Sequence, residues 1–347
     1  MKLKFKLSVL VIAIMVIALI GLAMLLVRKA SDISLNLSIQ GIEYLAEDKA
    51  SYWKSKQDGH LLVLHTIADI MEQYENMPVE ARRARFDDIL FGVMVANPDF
   101  MGIYTVWKPN AIDGMDDKYI DRTGSGPTGQ YAITYVRQGG AISSRTTIDI
   151  DASMAYINGP NSKNDRVEQP FLRKIDGKDV YLLRLMVPII NPRTNEVVGG
   201  VGCLLDISVI QSMVEQVLAE HKEIAALTIF ANNGFILGHK VPERVGKMLQ
   251  DVEMLFGKHI NEADKAVGEG RKYRLKTYSP VLKSNVELIM IPFTMGNSNT
   301  TWSVMVVSTE NHILAPVRAI TKYAAIIVIL SILIMAAILF VVFQRKY

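Results

Sequence analysis

Two stretches, Leu7 to Val27 and Tyr323 to Phe343, run for about twenty residues each without one Asp, Glu, Lys or Arg, which as helices at about 1.5 Å rise per residue matches the hydrocarbon core of a bilayer. Between them lie roughly 295 residues, enough for more than one module of ordinary domain size. The chain is therefore predicted to cross a membrane twice, with its folded part between the spans. The apolar excess of the composition, 50% hydrophobic residues, is concentrated in those two places.

Lys2, Lys4 and Lys6 give the first segment the basic flank of a signal peptide. Its apolar run is too long for that reading, and no clean small-x-small cleavage site follows before Arg28 and Lys29. An uncleaved anchor is preferred. With two spans both termini share a side, and Lys2, Lys4, Lys6, Arg345 and Lys346 assign that side to the cytoplasm. Arg28, Lys29, Arg318 and Lys322 oppose this from just outside the spans, so the orientation also rests on the length of the middle, too great for its charges to retain it inside. The expected location is the cell membrane, with the folded region extracytoplasmic and the lipid bilayer as a partner.

A net charge of +3 with no basic block sets nucleic acid aside as a partner. The single cysteine, Cys203, excludes an intrachain disulfide, and its place in the apolar run Val197 to Leu205 reads as a buried core residue.

After the first span, apolar residues recur at three and four spacing from Ile33 to Met71 until Asn76-Met77-Pro78, which predicts a stalk helix over 28–77, locally weakened at Gly41 and Gly59. A shorter helix is predicted from Pro78 to Val95 with Arg82, Arg83 and Arg85 on its wet side. Strands are then predicted at Gly102 to Trp107, Tyr131 to Arg137, Val180 to Ile190 and Val197 to Leu205, closing a first module over 78–207. An amphipathic helix, Ser208 to Glu220, leads to a second module within 208–310, with strands Ala225 to Ala231, Tyr273 to Tyr278, Val286 to Pro292 and Trp302 to Ser308. Val180 to Asp206 and Val286 to Glu310 share a plan of apolar strand, turn, apolar strand and acidic residue entering a helix, which points to a duplicated antiparallel module. A last helix from Thr309 is expected to run straight into the span 323–343. The fold class is α+β.

Catalytic signatures are missing: there is no His-Glu-x-x-His, Gly-x-Ser-x-Gly, Walker A or Cys-x-x-Cys pattern. Nothing implies a cofactor or metal. His60, His65, His221, His239, His259 and His312 are scattered and read as surface or capping residues, while Gly199, Gly200 and Gly202 read as close packing within a strand. In Tyr131 to Arg137, alternation puts Tyr131, Ile133, Tyr135 and Arg137 on one face, fit to line a polar pocket. Tyr104 and Trp107 come from a neighbouring strand, and Asp149, Asp151 and Tyr156 from the connecting segment; for each tyrosine, packing with its hydroxyl at the surface is an equal alternative. Arg184 interrupts an apolar strand, so its guanidinium requires an acceptor, either a protein carboxylate or an anionic ligand. Asp206 either caps the helix that follows it or accepts from a ligand.

Three segments, Gly129-Gln-Tyr-Ala-Ile-Thr-Tyr-Val-Arg137, Gln169 to Gly177 leading to Val187-Pro188, and Val197-Val-Gly-Gly-Val-Gly-Cys-Leu-Leu-Asp-Ile207, resemble the double Cache sensor domain of bacterial methyl-accepting chemotaxis receptors over about residues 28–320. The resemblance implies two tandem PAS-like modules on a long helix, with small-molecule binding in the membrane-distal one. It places Asp206 at the family's strand-end Asp and Tyr135 where many members carry Trp. Ala132-Ile-Thr-Tyr135 stands where the amino-acid-binding subclass has Arg-x-Trp-Tyr, which puts amino-acid recognition in doubt and leaves Arg137 or Arg184 to supply a carboxylate clamp. It further implies a homodimer formed through the first long helix, signalling by displacement of the second span, and a cytoplasmic signalling module on a continuation of the chain or on a separate protein. A sensor histidine kinase or diguanylate cyclase input is the alternative within this class. A membrane-tethered enzyme using Asp149 and Asp151, or a scaffold without a pocket, are the alternatives outside it.

Overall fold

The computed structural model describes residues 2–175 and 177–344. Arg345 and Lys346, together with the side chains of Lys2, Lys4 and Lys6, lie outside the described residues.

Helix α1 spans Lys2–Met71 without interruption, about 105 Å at its standard rise, and ends in a 3-10 turn, Glu72–Asn76, before the extended Met77 and Pro78. It passes through Gly41 and Gly59 unbroken. Ile39, Ile42, Ala46, Ala50, Trp53, Leu61, Leu64, Ala68 and Met71 are buried, a single stripe at three and four spacing on which both modules are hung.

The first module opens with α2 (Arg82–Ala96) and β1 (Phe100–Trp107), followed by β2 (Ala132–Gln138), β3 (Ala141–Thr146) and α3 (Ile150–Ile157). Strands β4 (Arg166–Val167), β5 (Phe171–Ile175), β6 (Lys178–Ile190) and β7 (Val197–Asp206) complete it. The sheet order is β3-β2-β1-β7-β6-β4, with β5 also pairing on β6, and every pairing is antiparallel.

Helix α4 (Ser208–Glu220) leads to the second module, made of β8 (Ala226–Phe230), β9 (Ile236–His239), α5 (Leu249–Val252), α6 (Ile260–Gly268), β10 (Tyr273–Ser279), β11 (Ser284–Thr294) and β12 (Thr301–Thr309). Its order is β10-β11-β12-β8-β9. Reading β8 as β1, β9 as β2, β12 as β7, β11 as β6 and β10 as β5, the two sheets have the same strand order, in accord with a duplicated unit.

One face of the first sheet carries Ile103, Ile133, Leu183, Leu185, Val201, Cys203 and Leu205, all buried in one cluster with the α1 stripe and with Phe86, Leu90 and Met94 of α2. Alternation sends the intervening residues to the opposite face. Arg83 departs from the expected solvated face: it is buried, its Nε donates to Asp113 Oδ2 at 2.6 Å and its Nη2 to Asp116 Oδ1 at 2.7 Å. These two acids fold back from the loop after β1, a long-range pairing that helical periodicity does not reveal. His239 is likewise buried rather than a surface residue, with Nε2 2.9 Å from Glu253 Oε2.

The last helix is not continuous with the one before it. Helix α7 (Glu310–Ile313) stops at Leu314, and α8 (Ala315–Gln344) begins there, with Pro316 in its first turn, where a missing N–H costs least. Among the described residues, α1 and α8 are long and apolar enough to cross a membrane, with windows of mean hydropathy 2.2 within Ala13–Asn76 and 2.3 within Ala315–Ile338, uncovered by the rest of the protein. The second module lies beside α1 nearer these apolar segments: Ser34 Oγ donates to Ile313 O, and Lys272 pairs with Glu43. The first module lies further along, where the Ile190 N–H donates to Glu72.

Candidate functional site

The face of the first sheet turned away from the helices is incompletely covered. Cross-strand register sets Arg145, Thr134, Tyr104 and Gly202 in one row, and Val136, Gly102, Leu204 and Arg184 in the next. Helix α3 covers one end of this face through Ile157, which packs with Tyr104, Val106 and Met186. Beyond α3 a half-open cavity of about 170 Å³ remains. Its floor is Tyr104, Leu182 and Leu204; the edge strands β3 and β5 curl over it with Arg145 and with Phe171 and Arg173. Gly202 is needed for this floor, because a Cβ there would lie 2.4 Å from Tyr104 Cζ and 2.3 Å from Leu185 O.

Of the residues singled out in the sequence, Tyr104, Arg137, Asp149 and Arg184 line this cavity. Tyr104 is buried, its hydroxyl 3.4 Å from Leu185 O, and burial raises its pKa far above the ordinary value, so it serves as a neutral group. Arg137 only borders the cavity; its guanidinium donates to Met94 O and Phe100 O and so caps the C-terminal end of α2, where a cation suits the dipole.

Arg184 finds protein carboxylates. Its Nη2 donates to Asp149 Oδ2 at 2.6 Å and its Nη1 lies 3.3 Å from Glu168, and its guanidinium stacks over Tyr104 and Phe171 at 5.7 and 5.3 Å. Arg184 is half-buried and Asp149 is 37% exposed, so solvent screens this cluster, whose contribution is to hold the guanidinium over the Tyr104 and Phe171 rings.

The other candidates lie elsewhere. The alternation expected over Tyr131 to Arg137 is present, but that face turns towards α2: Tyr131 donates to Asp87 Oδ1 at 2.6 Å, and Tyr135 meets Phe91 edge-on at 6.0 Å. Burial pushes the Tyr135 pKa up to about 12. Trp107 is fully buried, stacked on Phe86 at 5.8 Å. Tyr156 donates to Asn164 O at 2.7 Å. Asp206 Oδ1 accepts from the Ser208 N–H at 2.8 Å at the start of α4, and it borders a separate hollow beside Trp53 and His60 of α1. Asp151 is exposed and outside the cavity lining, so Asp149 and Asp151 do not form a pair across it.

The sequence reading missed Arg145, Phe171 and Arg173. Arg173 lies 3.6 Å from Asp149 and 5.7 Å from the Phe171 ring. Burial and the Arg173 charge lower the Arg145 pKa, with Asp149 only partly opposing them, which marks two like charges facing one space. Ala141-Ile-Ser-Ser-Arg-Thr146 is mostly polar and gives no hydrophobic alternation by which this edge strand could be found.

No protein-family model matches the chain. It is 22% identical over 247 residues to the methyl-accepting chemotaxis protein TlpQ of Pseudomonas aeruginosa, an alignment covering 66% of this chain and 33% of TlpQ. The chain thus spans about a third of the length of the curated relative it matches. Among solved structures it is similar to the extracellular domain of a protein described as a histidine kinase, mmHK1S-Z3, with TM-score 0.67, 23% identity, and coverage of 82% of this chain and 98% of that one. The ligand-binding domain of the Pseudomonas aeruginosa amino acid chemoreceptor PctC, solved with GABA, aligns with TM-score 0.52 and 13% identity over 78% of this chain and 98% of that one. The fold is the double Cache arrangement, two PAS-like antiparallel modules on one long helix.

Proposed function

Given that fold, we propose that the chain is the ligand-sensing part of a two-pass receptor of the methyl-accepting chemotaxis type, with its folded region outside the cytoplasmic membrane and a small molecule bound in the first module. The observation that carries this reading is the charged, half-open cavity on the face of the first sheet that the helices leave uncovered. A scaffold has no need of such a cavity, and an enzyme would need reacting groups there, whereas Asp149 is committed to Arg184 and Arg173. Relatives bearing receptor and sensor names support the class. The mmHK1S-Z3 likeness favours, as a second reading, the input domain of a sensor histidine kinase.

In this reading the modules divide at 78–207 and 208–310 and the spans lie at 7–27 and 323–343. The signal would, in the same reading, leave the cavity through the contacts between the first module and β12. Arg184 holds Glu168, two residues beyond the β4 start. Asp165, just before β4, accepts from the Asn297 N–H at 3.1 Å, and Asn297 sits in the turn between β11 and β12. Strand β12 then feeds α7 and α8. A ligand that redistributes the Arg184 cluster thereby biases the position of the second span, provided it binds one arrangement better than the other. Homodimer formation through α1 is supported by its outward face, where Ile33, Leu37, Tyr44 and Leu62 are exposed.

The test is a melting screen of the full chain in neutral detergent micelles, read by the fluorescence of the buried Trp53, Trp107 and Trp302. Amino acids, organic acids, amines, sugars and nucleobases are compared on the native chain and on Leu204→Trp, which fills the cavity floor. A compound that raises the melting temperature of the native chain and not of the variant supports the reading. Equal shifts in both proteins, or none for any class, oppose it.

A further inference from the structure

The cavity gathers more positive charge than its own carboxylates neutralise. Among the described residues lining it, Arg137, Arg145, Arg173, Lys174 and Arg184 are cationic and Asp149 alone is acidic. Arg137 is occupied by carbonyls at the end of α2, and Arg184 by Asp149 and Glu168. Arg173 has only a share in Asp149, at 3.6 Å. The Arg145 guanidinium has no hydrogen bond or ion pair among the described residues. The two come from edge strands, β3 at one end of the sheet order and β5 on the outer side of β6, so the curl of the sheet brings like charges to one opening. That arrangement costs stability unless an anion joins it.

We infer that the cavity takes a short-chain dicarboxylate, its two carboxylates on Arg145 and Arg173 and its hydrocarbon chain on Phe171, Leu182 and Leu204. The inference rests on the reading of this cavity as the sensor's ligand site. Guanidinium forks match carboxylate and phosphate oxygens alike. The apolar floor selects between them, because inorganic phosphate has no hydrocarbon to cover it. A zwitterion or an amine is disfavoured, since the one carboxylate in the lining is already shared by two guanidiniums and leaves no free acceptor for an ammonium.

The experiment titrates the full chain in neutral detergent with succinate, glutarate, inorganic phosphate, leucine, GABA and putrescine, by calorimetry and by melting, at low and high salt. Succinate or glutarate should bind, more weakly at high salt. Arg145→Gln and Arg173→Gln should each weaken it about 10- to 100-fold, without lowering the melting temperature of the ligand-free protein, because each relieves repulsion. A structural role for Arg145 predicts the reverse, a ligand-free loss and unchanged affinity, and overturns the proposal. Binding of phosphate as tight as that of the dicarboxylates overturns the organic part. Binding of leucine, GABA or putrescine that Leu204→Trp abolishes, with the dicarboxylates silent, overturns the ligand class and leaves the sensor reading standing. Silence of every probe overturns the dicarboxylate inference, and silence of the sugars and nucleobases as well overturns the sensor reading.

Discussion

Asp165 ties three parts of the molecule together, and its replacement by Asn isolates the charge that does so. The residue is 3% exposed. His65 Nε2 of α1 lies 2.8 Å from its Oδ1, and its Oδ2 accepts from the Asn297 N–H at 3.1 Å. The turn enters so closely that a Cβ on Gly296 would lie 2.2 Å from Asp165 Oδ2 and 2.7 Å from Leu61 Cδ1, and the backbone there has φ +52°, which favours glycine. Gly296 N also donates to Asp58 Oδ1 at 2.7 Å. Contact with Asp165 raises the His65 pKa, and the charges of Asp69 and Glu72 add to this, against a lowering by burial. A histidine raised in the folded state contributes stability that is fully present below its unfolded pKa, about 6.5, and lost as pH rises through its folded value. Replacing a charged acceptor costs about 1.5–3 kcal/mol, or roughly 3–12 °C in melting temperature at about 2–4 °C per kcal/mol. Asp165→Asn should show that deficit at pH 6, and the deficit should shrink at pH 8.5, where a neutral His65 keeps at most a hydrogen bond and no ion pair with the carboxylate. The assay is the fluorescence melt of the full chain across this range, with His65→Gln as the control in which the pH dependence of the gap is gone. A gap under 1 °C at pH 6, or one equal at both pH values, refutes the reasoning.

Arg83→Met should cost about 3–5 kcal/mol in urea unfolding, because Asp113 and Asp116, with side chains 1% and 4% exposed, are left buried without their cation; a loss under 1 kcal/mol would contradict the buried clasp. Burial alone would raise the Asp113 pKa, but hydrogen bonds from Arg83 and the Met115 N–H outweigh it and hold it low. Its stabilisation is therefore present above the unfolded value near 4 and lost as pH falls through the folded one, and Asp113→Asn should flatten the acid limb of the melting curve. Gly202→Ala should cost about 1–3 kcal/mol by overpacking against Leu185 O and Tyr104. It should also tilt Tyr104 into the cavity, read as weakened ligand affinity in excess of the stability loss; unaltered affinity would place the ligand away from that floor.

Strands buried on both faces were the legible part of the fold. Val180 to Ile190 and Val197 to Leu205 are apolar runs without an alternative partner state, and both are found within a residue or two of those limits in β6 and β7. Helix α4 coincides with its amphipathic prediction because its apolar face alone decides it. The edge strands were not legible. Ala141–Thr146 is exposed or half-exposed throughout, so it carries no hydrophobic period, and Phe171–Ile175 is short and charged. These strands supply Arg145 and Arg173, so half of the cavity rim was hidden. The tyrosines of β2 attracted attention through alternation, which fixes that residues share a face but not which face meets solvent. Arg184 was visible because a charge inside an apolar run must be answered, and Asp149 and Glu168 answer it.

Two sheets of the same strand order put the corresponding face to opposite uses. In the second module Phe230, Ile236, Leu249, Phe256, Val267, Leu288 and Met305 fill that face with a closed core under α5 and α6. The hollow left beside His239 and Glu253 is about 60 Å³, against 170 Å³ in the first module. His239 and Arg244 are both answered by Glu253, at 2.9 and 3.1 Å, and Lys240 donates to Ala225 O at 2.7 Å, so the basic groups of this hollow are held within the protein. A close-packed unit passes a displacement on rather than absorbing it, and this one lies between the Asp165 clasp and α8, with β12 joining the two. The first module, with an open cavity and with Arg145 and Arg173 facing one opening, is the part that the proposed anion would rearrange. On the proposed reading the duplication divides the labour: one copy would be completed by its ligand, and the other, already filled, would move as a body.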